Sequence, residues 1–365
     1  MNGTLPIRHD RAMRYELPPA SGPTAADLVL AGAPLPLTGT LRVYTCGITP
    51  YDVTHLGHAS TFVWADLLTH LARLVDVKTV SSRNVTDIDD VLTAAAEVRQ
   101  RHYDELAVTA EFDFERDLAA LNVARPDLTP RVRSHVPQVI QVCSSLLALG
   151  RAYEVDGTVY FAAPDDLDTA GLSETDARAA FAEFGDTGSD ARRQWCDVPL
   201  WKSSGEGDPA WPSPWGWGRP AWHVGCTAMA TTVFGASVDV LVGGADLAFP
   251  HHAYQTAIAE AVTGVSPFAR RAMHVGTVHH GGAKMAKSTG NLVLVRDLLE
   301  SHPGEVLRLH LLNRAWGDDW EFDAGQLSGT ADDLLALRQA AGSPATGGVG
   351  DVLAALLDDL DVPRA

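Results

Sequence analysis

The sequence predicts an α/β fold: a parallel sheet split by a long insertion and followed by a small helical module. Three observations predict it. Apolar, β-branched runs at residues 41–46 and 77–81 each lead into helical periodicity. The same strand-and-helix order resumes at residues 238–242, with a further apolar strand at 272–275. Strand, helix, strand, helix is the pattern of a parallel sheet, and the stretch between the two halves has a different character.

Taken in order, residues 1–35 are Pro- and Ala-rich and read as an extension over the surface. Residues 36–105 form the first half of the sheet domain. Within them, Trp64, Leu67, Leu68, Leu71, Leu74 and Val75 recur at helical spacing after the first strand, and a second helix is expected over 87–107. Residues 106–215 read as an inserted region, with helical stretches at 112–121 and 132–149, a hairpin at 153–161 and then a polar, acidic segment. The second half of the sheet occupies 216–295. A helical module follows over 296–342, with Val306, Leu309 and Leu312 on one stripe, and Leu334, Leu335 and Leu337 in a later helix. A Gly/Ser/Pro/Ala-rich linker and a short acidic tail complete 343–365.

Composition bounds the function. With 365 residues, 46% of them hydrophobic, the chain can bury a substantial core. It has no run of about 18 apolar residues and no apolar centre in its first residues, so a cytoplasmic protein with no membrane partner is expected. Cys46, Cys143, Cys196 and Cys226 are too widely spread for a small disulfide framework and read as reduced thiols or metal ligands. A formal net charge of −18 makes an extended polyanion a poor default partner.

Two separated motifs point to phosphate chemistry. His55-Leu56-Gly57-His58 follows the first strand and opens the first helix. Histidines there can donate to phosphate oxygens, Gly57 allows close approach to the backbone, and the helix start favours negative charge. Alone, the motif reads equally well as histidines capping a helix. Lys284-Met285-Ala286-Lys287-Ser288, in a Gly-rich loop after a late strand, places two lysines where they can neutralise charge developing on phosphates; alone, it reads as a solvated loop. One motif in each half of the sheet makes the phosphate reading the stronger for the pair.

A third constellation joins Cys46, at the end of the first strand, with Cys226 and the His251-His252 pair. Two thiolates and an imidazole suit Zn²⁺ and leave a coordination position for a substrate. Two buried structural cysteines and a capping histidine account for the same residues, because the spacing is not that of a CxxC pair.

The two phosphate motifs resemble the HIGH and KMSKS signatures of class I aminoacyl-tRNA synthetases, which form aminoacyl-adenylates on a Rossmann-like fold. The resemblance implies ATP, with Mg²⁺, as a substrate, His55, His58, Lys284 and Lys287 as catalytic residues, and Gly57 and Ser288 beside them in the nucleotide site. Ala286 departs from the usual Ser. Segments 46–49, 222–226 and 246–252 are similar to the zinc and cysteine-binding segments of cysteinyl-tRNA synthetases. That implies Cys46, Cys226 and His251 as zinc ligands, with Thr49, Thr86, Trp222 and Asp246 around bound L-cysteine and Asp246 suited to its ammonium group. Trp222 also reads as plain core, and Thr86 as a helix cap. Gly225 and Gln255 stand where many of those enzymes carry Glu.

Segments 47–52, 54–59 and 291–295 resemble the related mycothiol-pathway cysteine ligases, which join cysteine to glucosaminyl-inositol. The resemblance implies a small amine acceptor, glucosaminyl-inositol first, rather than tRNA. Only residues 289–365 follow the second motif, too few for a full anticodon-reading domain, and the acidic charge points the same way. A truncated tRNA enzyme, a paralogue acting on another amine and an inactive binding relative remain the alternatives.

Overall fold

The structure is a computed structural model and describes residues 23–51, 53–184, 186, 191–286, 289–341 and 348–365. It begins with a short hairpin of β1 (Val29–Leu30) and β2 (Ala33–Pro34). Then come β3 (Leu41–Ile48), α1 (Leu56–Leu74), β4 (Thr79–Val85), α2 (Asp90–Val98) and α3 (Tyr103–Ala120). The middle of the chain carries α4 (Val136–Ala148), β5 (Ala152–Val155), β6 (Thr158–Phe161), α5 (Glu174–Phe184), β7 (Val198–Ser203), β8 (Trp211–Ser213) and β9 (Gly216–Pro220). The last part contains α6 (Trp222–Phe234), β10 (Val238–Gly244), α7 (Ala253–Thr263), β11 (Ala269–Val275), β12 (Val278–His280) and β13 (Ala283–Lys284). It closes with α8 (Val295–Leu299), α9 (Gly304–Leu312), β14 (Trp320–Glu321), α10 (Leu327–Ala341) and α11 (Val349–Leu357).

The four strands expected from the apolar runs form one parallel sheet in the order β11-β10-β3-β4. Both faces are covered, which explains why the central strands β3 and β10 read as mostly apolar runs rather than as alternation. Val43 and Val240 pack into the core that holds Leu56, Trp64 and Leu68 of α1. Tyr44 and Leu241 point the other way, against Ala230 of α6 and Ala259 of α7. The chain leaves β3 towards β4 on one side and returns to β10 on the other, so the carboxyl ends of β3 and β10 flank a topological switch point, the usual crevice for a ligand in such sheets.

Between β4 and β10 lies a five-stranded antiparallel sheet, ordered β5-β6-β7-β9-β8. The polar segment after the expected hairpin therefore holds a helix and three more strands, whose short lengths and Pro, Gly and Ser content hide them from periodicity. The single helix expected over 87–107 is two: Gln100 takes a positive φ of 52° after α2, and α3 restarts with the His102 ring accepting the Asp104 N–H at 3.3 Å. On α9 the buried face is Val306, Leu307, Leu311 and Leu312, with Leu309 half-buried, and Leu335 and Leu337 on α10 are exposed.

Residues 1–22 of the expected extension and 342–347 at the expected linker lie outside the described residues, while the described parts of the two ends pack together. Leu28, Leu30, Leu357 and Leu360 are fully buried in the core that contains α1. The Asp359 carboxylate accepts the N–H groups of Ala31 and Gly32 at 2.8 and 3.1 Å, fastening the β1–β2 turn.

One buried carboxylate ties α1 to the helices that follow the sheet. Asp66 accepts the Ala124 N–H at 2.9 Å and the Arg308 guanidinium of α9 at 2.6 Å, with only 3% of its side chain exposed. Asp66→Ala would leave Arg308, whose side chain is 18% exposed, without its counter-charge and with only the Leu121 and Asn122 carbonyls as acceptors, and would leave the Ala124 N–H without its acceptor. The expected loss is about 3 kcal/mol, read as a lowered urea midpoint against wild type.

Candidate active site

At the carboxyl end of β3 the backbone departs from regular pairing, with a register shift between Thr45 and Ile48 against β4. Gly47 makes this possible, because a Cβ there would stand 1.8 Å from the Asn84 carbonyl oxygen. Asn84 then organises the end of the strand. Its amide oxygen accepts the Gly47 N–H at 3.0 Å, and its amide nitrogen donates to Thr86 Oγ1 at 3.2 Å and to Cys226 Sγ at 3.7 Å.

Cys46, Cys226 on α6 and His251 before α7 are all buried, and their ligand atoms all lie within 4.8 Å of one another. The Trp222 indole stacks on the His251 ring at 4.2 Å and 16°. His251 Nδ1 faces His223 Nδ1 at 2.9 Å. Its other nitrogen, Nε2, is buried with no hydrogen-bond partner among the described residues. Burial, reinforced by His223 and His252, holds His251 well below the usual imidazole range, so the ring is neutral near pH 7. Burial and the facing Cys226 thiol push the Cys46 thiol well up. Two thiols and an orphaned neutral imidazole nitrogen converge on one point, and a bound cation reverses the penalty on the thiolates. The donor set fits a soft divalent metal.

Further residues surround this cluster. His252 Nε2 is 3.2 Å from Cys46 Sγ, and its Nδ1 is 2.8 Å from His274 Nε2 on β11. Gln255, fully buried, accepts from Cys46 Sγ at 3.5 Å, and among the described residues its Nε2 has no hydrogen-bond partner. The residue standing in place of Glu thus contacts the cluster as a neutral amide. The adjacent His251-His252 pair was a signal for His252; nothing local marks Asn84 or His274.

The phosphate motifs meet the same crevice. His55 is the N-cap of α1, and the His55 and His58 rings lie 3.8 Å apart. The chain after the lysine loop pairs with this helix start: Leu56 N–H donates to Val293 O at 3.0 Å, and Val295 N–H to Thr54 O at 3.1 Å. Asn291 latches the loop itself. It accepts the Ala286 N–H at 3.0 Å and donates to the carbonyls of His280 and Lys284 at 2.7 and 3.2 Å. Lys284 Nζ donates to Asp246 Oδ2 at 2.8 Å, so the carboxylate expected to hold an ammonium holds the loop lysine. Lys287 and Ser288 lie outside the described residues.

A cavity of about 550 Å³ brings the two groups together. It is lined by Cys46, Thr49, His55, Gly57, His58, Thr86, Trp222, Cys226, Asp246, His251 and Lys284. Every described residue singled out from the motifs therefore faces one space, with the thiol–imidazole cluster and the phosphate-directed side chains on its wall.

The model of the class I (C) tRNA synthetase catalytic domain matches residues 36–332. The chain belongs to this family. A ligase from Acidothermus cellulolyticus, L-cysteine:1D-myo-inositol 2-amino-2-deoxy-alpha-D-glucopyranoside ligase, is 40% identical over 88% of this chain and 82% of its own length. The ligase of the same name from Parafrankia sp. is 40% identical over 91% and 77%. A cysteine–tRNA ligase of Rhodospirillum rubrum is 38% identical over 90% of this chain and 72% of its own. Among solved structures, Mycobacterium tuberculosis methionyl-tRNA synthetase with methionyl-adenylate overlays with a TM-score of 0.64 at 18% identity, covering 89% of this chain and 80% of that one, which establishes the shared fold. No described helix is long and apolar enough to cross a membrane.

The cluster predicts one bound zinc per chain by metal analysis. Cys226→Ser and His251→Ala should each lose most of it, because every ligand contributes directly to a three-residue site. Full zinc content in both variants would place the metal elsewhere.

Proposed function

We propose that this enzyme activates L-cysteine with ATP, with release of pyrophosphate, and transfers the cysteinyl group to a small amine, glucosaminyl-inositol being the first candidate. The observation that carries the reading is the opening of a buried two-thiol, one-imidazole cluster into the cavity that also holds the two phosphate motifs. Bound zinc would supply a soft coordination position that accepts the substrate thiolate and disfavours the hydroxyl of serine.

The chain's own residues do the rest. Trp222 backs the His251 ring and fixes its plane. Asp246 takes the substrate ammonium, and the lysine it now holds is released towards the triphosphate. His55 and His58, at the start of α1, hold phosphate oxygens where the helix terminus also favours negative charge. As the cysteine carboxylate attacks the α-phosphate, Lys284 and Lys287 stabilise charge growing on the pyrophosphate. Thr49 and Thr86 lie beside the bound cysteine, with Thr86 held by Asn84.

The acceptor assignment draws on the names of the two ligases at 40% identity and on charge. With 46 acidic against 28 basic side chains, the surface is poorly suited to a tRNA backbone. Mass spectrometry of reactions with ATP, cysteine and glucosaminyl-inositol should reveal the amide, with little dependence on salt between 50 and 200 mM; a tRNA complex would weaken steeply over about that range. Charging of tRNA without amide formation would assign the acceptor to the second kind of relative.

Lys284→Ala should slow cysteine-dependent ATP–pyrophosphate exchange by ~10²-fold, the scale for removing one donor to a developing charge. Exchange at the wild-type rate would remove Lys284 from the chemistry.

A further inference from the structure

The cavity wall beyond Thr86 holds carboxylates that the activation step leaves unused. Asp89 caps α2, its Oδ1 accepting the Val91 N–H at 2.9 Å, and it lines the cavity together with Asp90, Glu183 and Asp186. Most of these groups are already committed. Asp90 accepts Lys202 Nζ at 2.7 Å and Arg219 Nε at 2.8 Å. Asp186 pairs with Lys202 and accepts the Trp222 N–H at 3.0 Å. Asp246, nearer the nucleotide motifs, holds Lys284. Asp89 differs, because among the described residues no donor is placed on its second oxygen and no cation is paired with it. Glu183 sits exposed at the rim.

We infer that Asp89 is the general base of the transfer step, receiving the proton that the acceptor nitrogen sheds as it becomes an amide. The inference rests on the amine-acceptor reading above. In that step the neutral amine's lone pair attacks the carbonyl carbon of the cysteinyl adenylate. The C–N bond forms, the C–O bond to the phosphate breaks, and AMP leaves with that bond's electron pair. The nitrogen then carries a positive charge and one proton too many, which passes to the Asp89 carboxylate and from there to water.

The surroundings tune Asp89 for this. Partial desolvation first, then the negative charges of Asp186 and Asp90, raise it to about 7, against the opposing pull of Lys202 and the Val91 N–H. Its neighbour Asp90 is held below the ordinary range: burial opposes this, but Lys202 and Arg219 outweigh it. Two adjacent carboxylates driven apart in acidity are the pattern of a site with divided roles, one kept ionised and one poised to exchange a proton near neutrality. The charged groups facing Asp89 come from α2 (Asp90), from the segment after α5 (Asp186) and from β7 (Lys202).

Asp89→Asn tests the assignment without removing the helix cap, since Asn caps as well as Asp. The two halves of the reaction separate its role. Cysteine-dependent pyrophosphate exchange should stay within a few-fold of wild type, while single-turnover amide formation from preformed cysteinyl adenylate should fall about 10²-fold or more. In wild type that second rate should rise with pH through about 7, where Asp89 becomes the base, and in Asp89→Asn only the rise set by deprotonation of the acceptor amine should remain. Glu183→Gln should retain both rates. Equal amide formation by Asp89→Asn and wild type across the pH range would overturn the inference, as would loss of both half-reactions together or loss of the transfer step in Glu183→Gln instead. Failure of wild type to form any amide, with exchange intact, would overturn the acceptor reading itself.

Discussion

Two cysteines and a histidine drawn from positions 46, 226 and 251 must be held within a few ångströms of one another in the protein interior, and much of the site's architecture serves that demand. Burying two thiols face to face is unfavourable unless they are neutral or share a cation, and a neutral imidazole nitrogen with no partner adds to the cost. Gly47 lets the end of β3 approach β4 closely, and Asn84 ties that approach to both Cys226 and Thr86. Trp222 and His223 constrain His251 from two directions. The long middle section of the chain separates the first cysteine from the second in sequence, yet the parallel pairing of β10 with β3 restores them to one crevice.

The same crevice couples discrimination to chemistry. Lys284 donates to Asp246, so under the proposed reading a substrate ammonium and this lysine would compete for one carboxylate, and an ammonium held there would free the lysine. Asn291, bonded on both sides of the loop, and the pairing of Val293 and Val295 with the start of α1 keep the loop near the histidines while its lysine changes partner. Because the pair is exposed to solvent, its contribution to stability is small, which suits a contact that must be exchanged.

The parallel sheet was legible because both of its faces are covered, leaving mostly apolar strands at 41–46 and 238–242, broken at Arg42 and Asp239, which pair with each other. His55 to His58 and the region of Lys284 were legible because short motifs keep their spacing wherever the fold carries them. What lay hidden depends on contacts across long sequence separations. Asn84 acts on Cys226, His274 on His252, and Asp66 on Arg308, and no local pattern marks such partners. Compositional bias misled at the chain ends, where Leu28, Leu30 and Leu360 sit among polar and small residues yet fill the main core. Gln255 shows the reverse: the position was visible as a departure, but only the structure shows its amide against Cys46.

The central claim is that the thiol–imidazole cluster holds a metal whose remaining position selects the substrate by its sulfur. X-ray absorption at the zinc edge of the holoenzyme, with and without L-cysteine, tests it most directly. The cluster predicts two sulfur ligands and imidazole nitrogen in the resting enzyme, three sulfurs once cysteine is added, and no change with serine. A sulfur count that stays the same with cysteine, in protein that still carries out cysteine-dependent pyrophosphate exchange, would contradict it.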